Sequence, residues 1–376
     1  MPRKRSSPLD AARFMRRHWQ REPLLVLGAF PGFADPLAPR EVLALAASGE
    51  SQSRLVRRVR GSWRVEHGPL AASRLARLPR RDWTVLVQDT NHFSRAADAL
   101  LARFDFVPHA RIDDVMVSYA VPGGGVGPHV DSYDVFLVQG RGRRRWHISR
   151  QEDLEFVPGL DLKILRRFAP EREWVLEAGD MLYLPPGIAH DGIAETECLT
   201  WSVGFRAPSD RELVAGFLDF LHERLEPPGR YGDAGAVPAL HPGEVPPKLA
   251  AHAERALRAI RWTRADVLEF TGRFLSEPKS HVYFRPPARP LAAGRFAARA
   301  ARLGLGLDPR ARLLFSGTMF FLNGERVPVP AGARALVRRL ADARSLAAPI
   351  DAGAPFWELV HAWYLEGLVA CEGEGK

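Results

Sequence analysis

The sequence predicts an α+β protein: an all-β core, then helices, then a C-terminal unit that contains a β-hairpin. Short apolar stretches separated by Gly, Pro and Asp clusters follow one another between about Trp83 and Arg206. This is the pattern of a sandwich or small barrel. After Pro208 the apolar residues recur at helical spacing. Near the C-terminus, Asn323-Gly324 separates two strand-like stretches, which is a strong hairpin signal.

Before the core, short helical and extended patterns alternate. Phe14–Trp19 indicates the end of a helix, Pro23–Val26 a buried strand, and Glu41–Ala47 a helix. Alternation and composition then predict these core strands: Trp83–Val87, Val115–Val121, Val135–Val138, Arg144–Ile148, Glu173–Leu176, Met181–Leu184 and Leu199–Phe205.

Three amphipathic helices are expected after the core. Ser209 and Glu212 form a capping box at the start of the first helix. The second helix starts near Pro247, and the third is capped by Thr263 and ends before Pro278. Their apolar faces must cover either the barrel or a second subunit.

The C-terminal unit follows the Pro-rich linker 286–290. Strands Thr318–Leu322 and Arg326–Val329 flank the hairpin turn, and helices are expected at Ala331–Leu346 and Pro355–Val369. A hairpin with small helices around it suits a winged-helix-like unit. The predicted domains are an N-terminal segment with the barrel (1–208, barrel core about 83–206), a helical module (209–285) and the winged-helix-like unit (286–376).

The composition of the chain says more about the cellular compartment of the protein than about its binding partner. The 376-residue chain carries a formal net charge of +9, which would suit a nucleic-acid or ribosomal partner, but only five of its basic residues are Lys and coding bias explains the charge equally well. Two distant cysteines, Cys198 and Cys371, form neither a metal cluster nor a disulfide framework and favour a reducing compartment. Although Met1–Pro8 is basic, no signal-peptide or membrane-spanning stretch follows it. We therefore expect a cytoplasmic protein without membrane association.

A metal site is predicted from three residues. His129 and Asp131 are separated by one residue, so in a strand both side chains point into the barrel interior. His190, after the turn Pro185–Gly187, supplies a third ligand from another strand. Two imidazoles and one carboxylate leave the other metal positions open, as in non-haem Fe(II) oxygenases. The Gly-rich turn 122–128 precedes the pair, and we interpret it as structural, allowing a close approach to the site.

A cation suited to a dicarboxylate cosubstrate is predicted on the neighbouring strand. Alternation places Arg144, Trp146 and Ile148 on its inward face. A buried guanidinium needs an anionic partner, and its planar fork fits a carboxylate. Ser118, on the strand Val115–Val121, offers a hydroxyl donor nearby.

With these motifs, the sequence resembles the bacterial ribosomal oxygenases of the JmjC/cupin superfamily. The resemblance covers nearly the whole chain, with its strongest stretch running from Arg111 to Asp131. Further matching blocks are His18-Trp19-Gln20, Asn91-His92, Tyr133–Phe136, Gln139-Gly140, Gly142–Trp146, Gly179-Asp180, Pro185–Gly187 and Ser202–Pro208.

The resemblance implies a double-stranded β-helix (the cupin/JmjC barrel), a helical dimerisation module and a C-terminal winged-helix domain. It implies Fe(II) held by His129, Asp131 and His190, with 2-oxoglutarate bound by Ser118 and Arg144. It also implies a homodimer that hydroxylates an arginine side chain of a large-subunit ribosomal protein. Thr200-Trp201 departs from the Asn-Tyr expected in the family, which affects the expected shape of the substrate pocket.

An arginine substrate calls for acidic or aromatic groups in the pocket. Tyr133 is a candidate, since it shares the inward face with His129 and Asp131. Asp114 and its neighbour Asp113 flank the adjacent strand and are further candidates, although at least one of them is expected to be a solvated loop acid.

Two other functions fit the same residues. A JmjC demethylase or a tRNA-modifying hydroxylase would keep the iron site and change the target. A regulator that binds DNA or RNA would use the barrel as a small-molecule sensor and the winged helix as its nucleic-acid module. The sequence leaves direct nucleic-acid binding open.

Overall fold

The computed structural model describes residues 9–373, so the basic segment 1–8 lies outside the described residues. The longer helices are α1 Ala11–Arg17, α2 Pro39–Ser48, α3 Ala72–Leu75, α4 Arg95–Leu101, α5 Asp210–His222, α6 Pro247–Arg258, α7 Arg264–Ser276, α8 Ala293–Leu303, α9 Arg334–Ala343 and α10 Ala354–Leu365. The barrel strands are β1 Leu24–Val26, β2 Ser53–Val59, β3 Ser62–His67, β4 Trp83–Val87, β5 Ile112–Ala120, β6 Asp134–Gln139, β7 Arg144–Ser149, β8 Arg172–Leu176, β9 Met181–Leu184, β10 Ala189–Ala194 and β11 Cys198–Phe205. The C-terminal strands are β12 Leu305–Leu307, β13 Leu313–Ser316, β14 Met319–Leu322, β15 Glu325–Val327, β16 Ser345–Leu346 and β17 Val369–Cys371.

Two sheets form the barrel. The larger has eight strands in the order β1-β9-β6-β11-β5-β4-β2-β3, and the smaller has three in the order β10-β7-β8. The interior between them is apolar: Val135, Leu137, Leu182 and Leu184 from the large sheet form one cluster with residues of the small sheet that include Trp146. The alternating side chains of the same strands explain this core, because each strand presents every second residue inward.

The opposite face of the large sheet packs against the N-terminal helices. Its core is aromatic: Phe14 of α1 and Phe104 lie with Phe136, Tyr183 and Phe205. This second core fixes the large sheet from outside and leaves its inner face to the site.

The predicted core began too late in the chain. Strands β1, β2 and β3 all belong to the eight-stranded sheet, although the core was expected to start at about Trp83. The hairpin of β2 and β3 turns at Arg60-Gly61, both with positive φ. Its strands are rich in Arg and half exposed, so the apolar alternation that reveals a strand is weak there.

The helical module follows the barrel. The predicted capping box at Ser209 and the predicted N-cap Thr263 are both confirmed, and α7 ends at Ser276. Helices α5 and α7 pack on each other through Phe220, Leu221 and Phe270.

The C-terminal unit has its own core, which joins α8, α9 and α10 to two small sheets. The predicted hairpin is confirmed as β14 and β15, with both Asn323 and Gly324 at positive φ. Helix α8 was not predicted. No helix within residues 9–373 combines the length and the apolar character that crossing a membrane requires.

Candidate metal centre

The structure brings His129, Asp131 and His190 together. One nitrogen or carboxylate oxygen from each lies within 4.8 Å of the others, and His190 Nε2 is 3.5 Å from Asp131 Oδ2. His190 is the second residue of β10, a strand that the sequence did not reveal because its composition (Ala-His-Asp-Gly-Ile-Ala) contains few strand formers.

The prediction that His129 and Asp131 lie in a strand was wrong, because neither residue belongs to a regular strand. His129 instead forms a single bridge to His190, with reciprocal backbone hydrogen bonds of 3.0 and 2.9 Å. Pro128 precedes the bridge, and a proline removes a ladder donor, so pairing stops after one residue. The bridge still aligns the two imidazoles, whose ring centroids are 4.2 Å apart.

Both imidazoles are held in the orientation that a metal needs. His129 Nδ1 is 2.9 Å from the Gly127 carbonyl oxygen and His190 Nδ1 is 2.9 Å from the Ile188 carbonyl oxygen. If each Nδ1–H donates to its carbonyl, Nε2 keeps its lone pair for a metal. Burial lowers the pKa of His190 to about 4, and the resulting neutral imidazole is the form that ligates.

The Gly-rich turn allows close approach to β10, as predicted. A Cβ on Gly125 would lie 2.5 Å from the Gly192 carbonyl oxygen, a distance that real Cβ atoms do not adopt. Only glycine therefore fits where this turn crosses the strand that carries His190.

Arg144 and Ser118 also meet, inside the barrel. The Arg144 side chain is buried, and its Nη2 donates to Ser118 Oγ over 3.1 Å. Arg144 Nε has no hydrogen-bond partner, and among the described residues no carboxylate is within ion-pair distance of the guanidinium. A buried guanidinium with an unsatisfied donor is the environment that a ligand carboxylate would complete.

Thr84 is a site residue that sequence reasoning missed. Its hydroxyl is 2.9 Å from Ser118 Oγ and donates to the Tyr119 carbonyl over 3.0 Å, so it orients the serine. The available signal was a single polar residue in the otherwise apolar, fully buried strand Trp83–Val87.

Tyr133 lies beside the metal centre. It packs partly buried against the barrel interior, and its pKa is raised by burial, by the charges of Asp131 and Asp114, and by a hydrogen bond to Asp131. The phenol is therefore neutral and is held next to the carboxylate of the triad.

Asp113 and Asp114 both lie in β5, so the expectation that at least one of them is a solvated loop acid was wrong. Asp114 is buried, and its Oδ2 accepts a hydrogen bond from the Asp89 amide over 3.1 Å. Lys279, after α7, reaches both carboxylates and that of Asp89, with Nζ–O distances of 3.5, 3.3 and 2.8 Å for Asp114, Asp113 and Asp89. Burial raises the pKa of Asp114 to about 6, and the charge of Lys279 opposes this shift.

The residues that replace the expected Asn-Tyr pair point in opposite directions. Thr200 is paired across the sheet with Ser118, and its Oγ1 donates to Gln139 Oε1 over 3.1 Å. Trp201 belongs to the outer core, where its Nε1 donates to Asp35 Oδ1 over 2.8 Å. Only Thr200 therefore faces the barrel interior.

The donor set fits a divalent metal with open positions. It offers two neutral imidazoles and one carboxylate, the combination of non-haem iron sites. Structural zinc sites are usually closed by a fourth Cys or His, and within residues 9–373 no further His, Cys, Asp or Glu joins this group.

Comparison with known proteins agrees with the fold and with this donor set. Residues 99–213 match the model of the JmjC domain, and residues 259–370 match that of the ROXA-like winged helix. The chain is 37% identical over 324 residues to the ribosomal protein uL16 3-hydroxylase of Escherichia coli, covering 84% of this chain and 85% of that protein. A probable ribosomal oxygenase of Haemophilus influenzae is 38% identical over 215 residues, covering 56% of this chain and 53% of that one.

A solved structure agrees over a longer range. The ribosomal oxygenase YcfD of Escherichia coli, in complex with cobalt and 2-oxoglutarate, superposes with a TM-score of 0.81 at 34% identity, covering 97% of this chain and 99% of that one. The match spans the barrel, the helical module and the winged helix together. This chain belongs to the JmjC-domain ribosomal oxygenase family.

Proposed function

We propose that this protein is an Fe(II)- and 2-oxoglutarate-dependent hydroxylase of an arginine side chain in a large-subunit ribosomal protein. The observation that carries the proposal is the convergence of His129, Asp131 and His190 in one barrel with the unsatisfied guanidinium of Arg144. When bound, the iron and 2-oxoglutarate supply dioxygen chemistry that yields succinate, CO2 and a hydroxylated substrate carbon.

In this proposal the side chains divide the work. His129, Asp131 and His190 hold the metal by one side and leave positions free. Arg144 and Ser118 bind the distal carboxylate of 2-oxoglutarate, and Thr84 orients Ser118. The apolar interior around Val135, Leu137 and Leu184 excludes water from the cosubstrate.

Tyr133 and Asp114 are the proposed contacts for the substrate guanidinium. A Cβ atom on Gly204 of β11 would lie 3.7 Å from Asp114 Oδ1 and 3.8 Å from Tyr133 Cε2. The two side chains are therefore close to each other beside Gly204. The tyrosine ring offers a face for a cation, and the carboxylate offers a charged acceptor. Asp114 already faces Lys279, so a substrate cation would have to share or replace this contact.

The proposal is tested by reconstituting the protein with Fe(II) and 2-oxoglutarate without oxygen, then adding oxygen and a panel of ribosomal-protein peptides. We expect one arginine-containing peptide to gain the mass of one oxygen atom, in step with succinate formation. Methyl-lysine peptides and tRNA belong in the same panel. If all ribosomal peptides stay unchanged, demethylation of a methyl-lysine peptide would show that the protein is a demethylase. Modification of tRNA would show that it is a tRNA-modifying hydroxylase.

We propose that the helical module forms a homodimer. Helix α6 has no buried residue, and Val214, Leu218, Leu257 and Trp262 expose between 57 and 67% of their surface. Apolar faces of this kind are stabilised by a partner, and a second copy of the same chain is the simplest one, because equivalent faces pair about a two-fold axis.

Light scattering after size exclusion tests the dimer. We expect twice the monomer mass for the unmodified protein and the monomer mass for Leu218→Asp combined with Leu257→Asp. Leu365→Asp, at an exposed leucine of α10, should leave the dimer intact. A monomer in the unmodified protein at micromolar concentration would contradict the dimer.

Three further assignments complete the proposal. The domains divide at about residues 208 and 285, and the protein acts in the cytoplasm, where ribosomes are assembled. The winged-helix unit serves as an interaction module. A salt-dependent shift of duplex DNA or RNA by the intact protein would instead give it a nucleic-acid role.

A further inference from the structure

The inner face of the small sheet has a regular order. Cross-strand pairs join His190 to Ile148, Gly192 to Trp146, and Ala194 to Arg144. Moving along β10 and β7, the first row holds a proposed metal ligand, the last row holds the proposed carboxylate anchor, and Trp146 occupies the row between them. Rows two residues apart are separated by about 7 Å, so Trp146 lies along the path that a dicarboxylate bound at both ends must follow.

The structure makes space for the Trp146 indole. A Cβ on Gly192 would lie 2.6 Å from the Trp146 ring, so a residue with a side chain at this position would displace the indole. The ring centroid is 6.0 Å from that of His190 and 5.7 Å from Arg144 Cζ. The indole is thus packed between the two ends of the proposed cosubstrate pocket.

Its polar atom is unsatisfied. Trp146 is 5% exposed, and its Nε1 has no hydrogen-bond partner among residues 9–373. Arg144 Nε, two residues away on the same face, lacks one as well. A buried N–H without an acceptor is costly, and two of them on one face of one strand indicate a shared acceptor that arrives with a ligand. A carboxylate suits this role, since its two oxygens accept about four hydrogen bonds.

We infer that the indole N–H of Trp146 donates a hydrogen bond to the distal carboxylate of 2-oxoglutarate, beside Arg144 and Ser118. This inference rests on the proposed function. It makes Trp146 a binding residue as well as part of the barrel core, and it predicts selectivity for 2-oxo acids that carry a second carboxylate.

The test measures binding instead of turnover. Dissociation constants of 2-oxoglutarate and of 2-oxovalerate, which lacks the distal carboxylate, are determined by calorimetry on Co(II)-loaded protein without oxygen. A hydrogen bond to a charged group predicts that Trp146→Phe weakens 2-oxoglutarate binding about ten- to a hundredfold and changes 2-oxovalerate binding less than twofold. Trp357→Phe, which removes an indole N–H hydrogen bond to the Ala352 carbonyl oxygen in the C-terminal unit, is the matched control and should bind both acids normally.

Each outcome has one meaning. If the unmodified protein does not bind 2-oxoglutarate, the proposed function fails and the inference with it. If the unmodified protein binds and Trp146→Phe binds equally well, or loses both acids equally, only the inference is overturned.

If Trp146→Phe does not fold, the hydrogen bond from the Trp146 indole to 2-oxoglutarate is tested on the unmodified protein by NMR. In Zn(II)-loaded, 15N-labelled protein, one of the nine indole N–H signals should move downfield on addition of 2-oxoglutarate and should stay in place on addition of 2-oxovalerate. The inference is overturned if no indole signal distinguishes the two acids.

Discussion

Two regions of this protein bury polar or charged side chains. In one region these side chains have hydrogen-bond partners within the protein, and in the other some of their donors do not. On the inner face of the small sheet, Arg144 Nε and Trp146 Nε1 have no hydrogen-bond partner in the part of the chain that the structure describes. At the contact between the barrel and the segment after α7, Asp89 accepts hydrogen bonds from Lys279 over 2.8 Å and, with its other oxygen, lies 3.0 Å from His281 Nε2. Asp113 and Asp114 share the same lysine.

The difference separates ligand binding from architecture. Buried polar groups are normally paired within the protein, so the Lys279 cluster is complete by itself and links the segment after α7 to β5. The small-sheet face is incomplete by itself, and its unsatisfied donors indicate where a ligand belongs. Changes in the first region should therefore weaken the binding of 2-oxoglutarate. Changes in the second region should lower the stability of the protein, and only Asp114 is proposed to contact the substrate as well.

The largest expected effect is on turnover. Asp131→Ala removes the only carboxylate of the triad, so succinate formation in the presence of substrate peptide should fall to the level of metal-free protein. The free energy of unfolding of the metal-free protein should fall by no more than about 1 kcal/mol, because the substitution removes only the hydrogen bond between Asp131 and Tyr133. Asp233→Ala, at an exposed acid, is the control and should keep full turnover. Full turnover by Asp131→Ala would show that the metal ligands are assigned wrongly.

The second prediction concerns Arg144. Arg144→Met should raise the dissociation constant of 2-oxoglutarate about a hundredfold or more, because truncating one partner of a buried charge pair costs several kcal/mol. Stability without ligand should be equal or higher, since an unpaired buried charge is removed. Arg145→Met is a matched control, because the adjacent side chain faces outward and pairs with Glu173 and Glu195. Equal loss of affinity in both variants would point to general charge rather than to the buried guanidinium.

Lys279 provides the opposite case. Lys279→Met should lower the free energy of unfolding by about 3 kcal/mol, because it leaves three carboxylates of one cluster without their cation. Binding of 2-oxoglutarate should remain within twofold of the unmodified protein. In Arg166→Met, which breaks an exposed pair with Glu155, the change should be at most about 0.5 kcal/mol. Normal stability combined with tighter peptide binding in Lys279→Met would mean that Lys279 occupies the substrate subsite.

Sequence reasoning reached these regions unequally. The site residues His129, Asp131, His190, Arg144 and Ser118 have local signals, namely alternation, a Gly-rich turn and a polar residue on an apolar face. The Lys279 cluster has none, because Asp89, Asp113 and Asp114 meet a lysine more than 160 residues away in the chain. Such a contact follows from tertiary packing, which no periodicity encodes.

The same limit applies to the fold. The core strands after Trp83 were predictable because they are apolar and bounded by turn residues. Strands β2 and β10 were missed, the first because Arg residues interrupt its alternation and the second because it contains Asp and Gly. Both are held by the neighbours with which they pair, and tertiary pairing overrides weak strand propensity.

The smallest predicted effect is a pH dependence that arises from Asp114. Burial raises the pKa of Asp114 to about 6, against 3.8 for the ordinary carboxyl. Between these values the folded state binds a proton that the unfolded state has released, so the contribution of Asp114 to stability falls as the pH rises through this window. Asparagine mimics the neutral form and does not titrate.

The stability of Asp114→Asn relative to the unmodified protein should therefore increase by about 2 kcal/mol between pH 4 and pH 7, measured by urea unfolding. Asp351→Asn, at an exposed acid, should show no such trend. If the stability of Asp114→Asn relative to the unmodified protein instead fell with rising pH, the charge of Lys279 would have a larger effect on the pKa of Asp114 than burial has. Asp114 would then be ionised across this pH range. Asp114 would then be a fixed anion of the Lys279 cluster, and the guanidinium contact proposed for it would have to compete with a full ion pair.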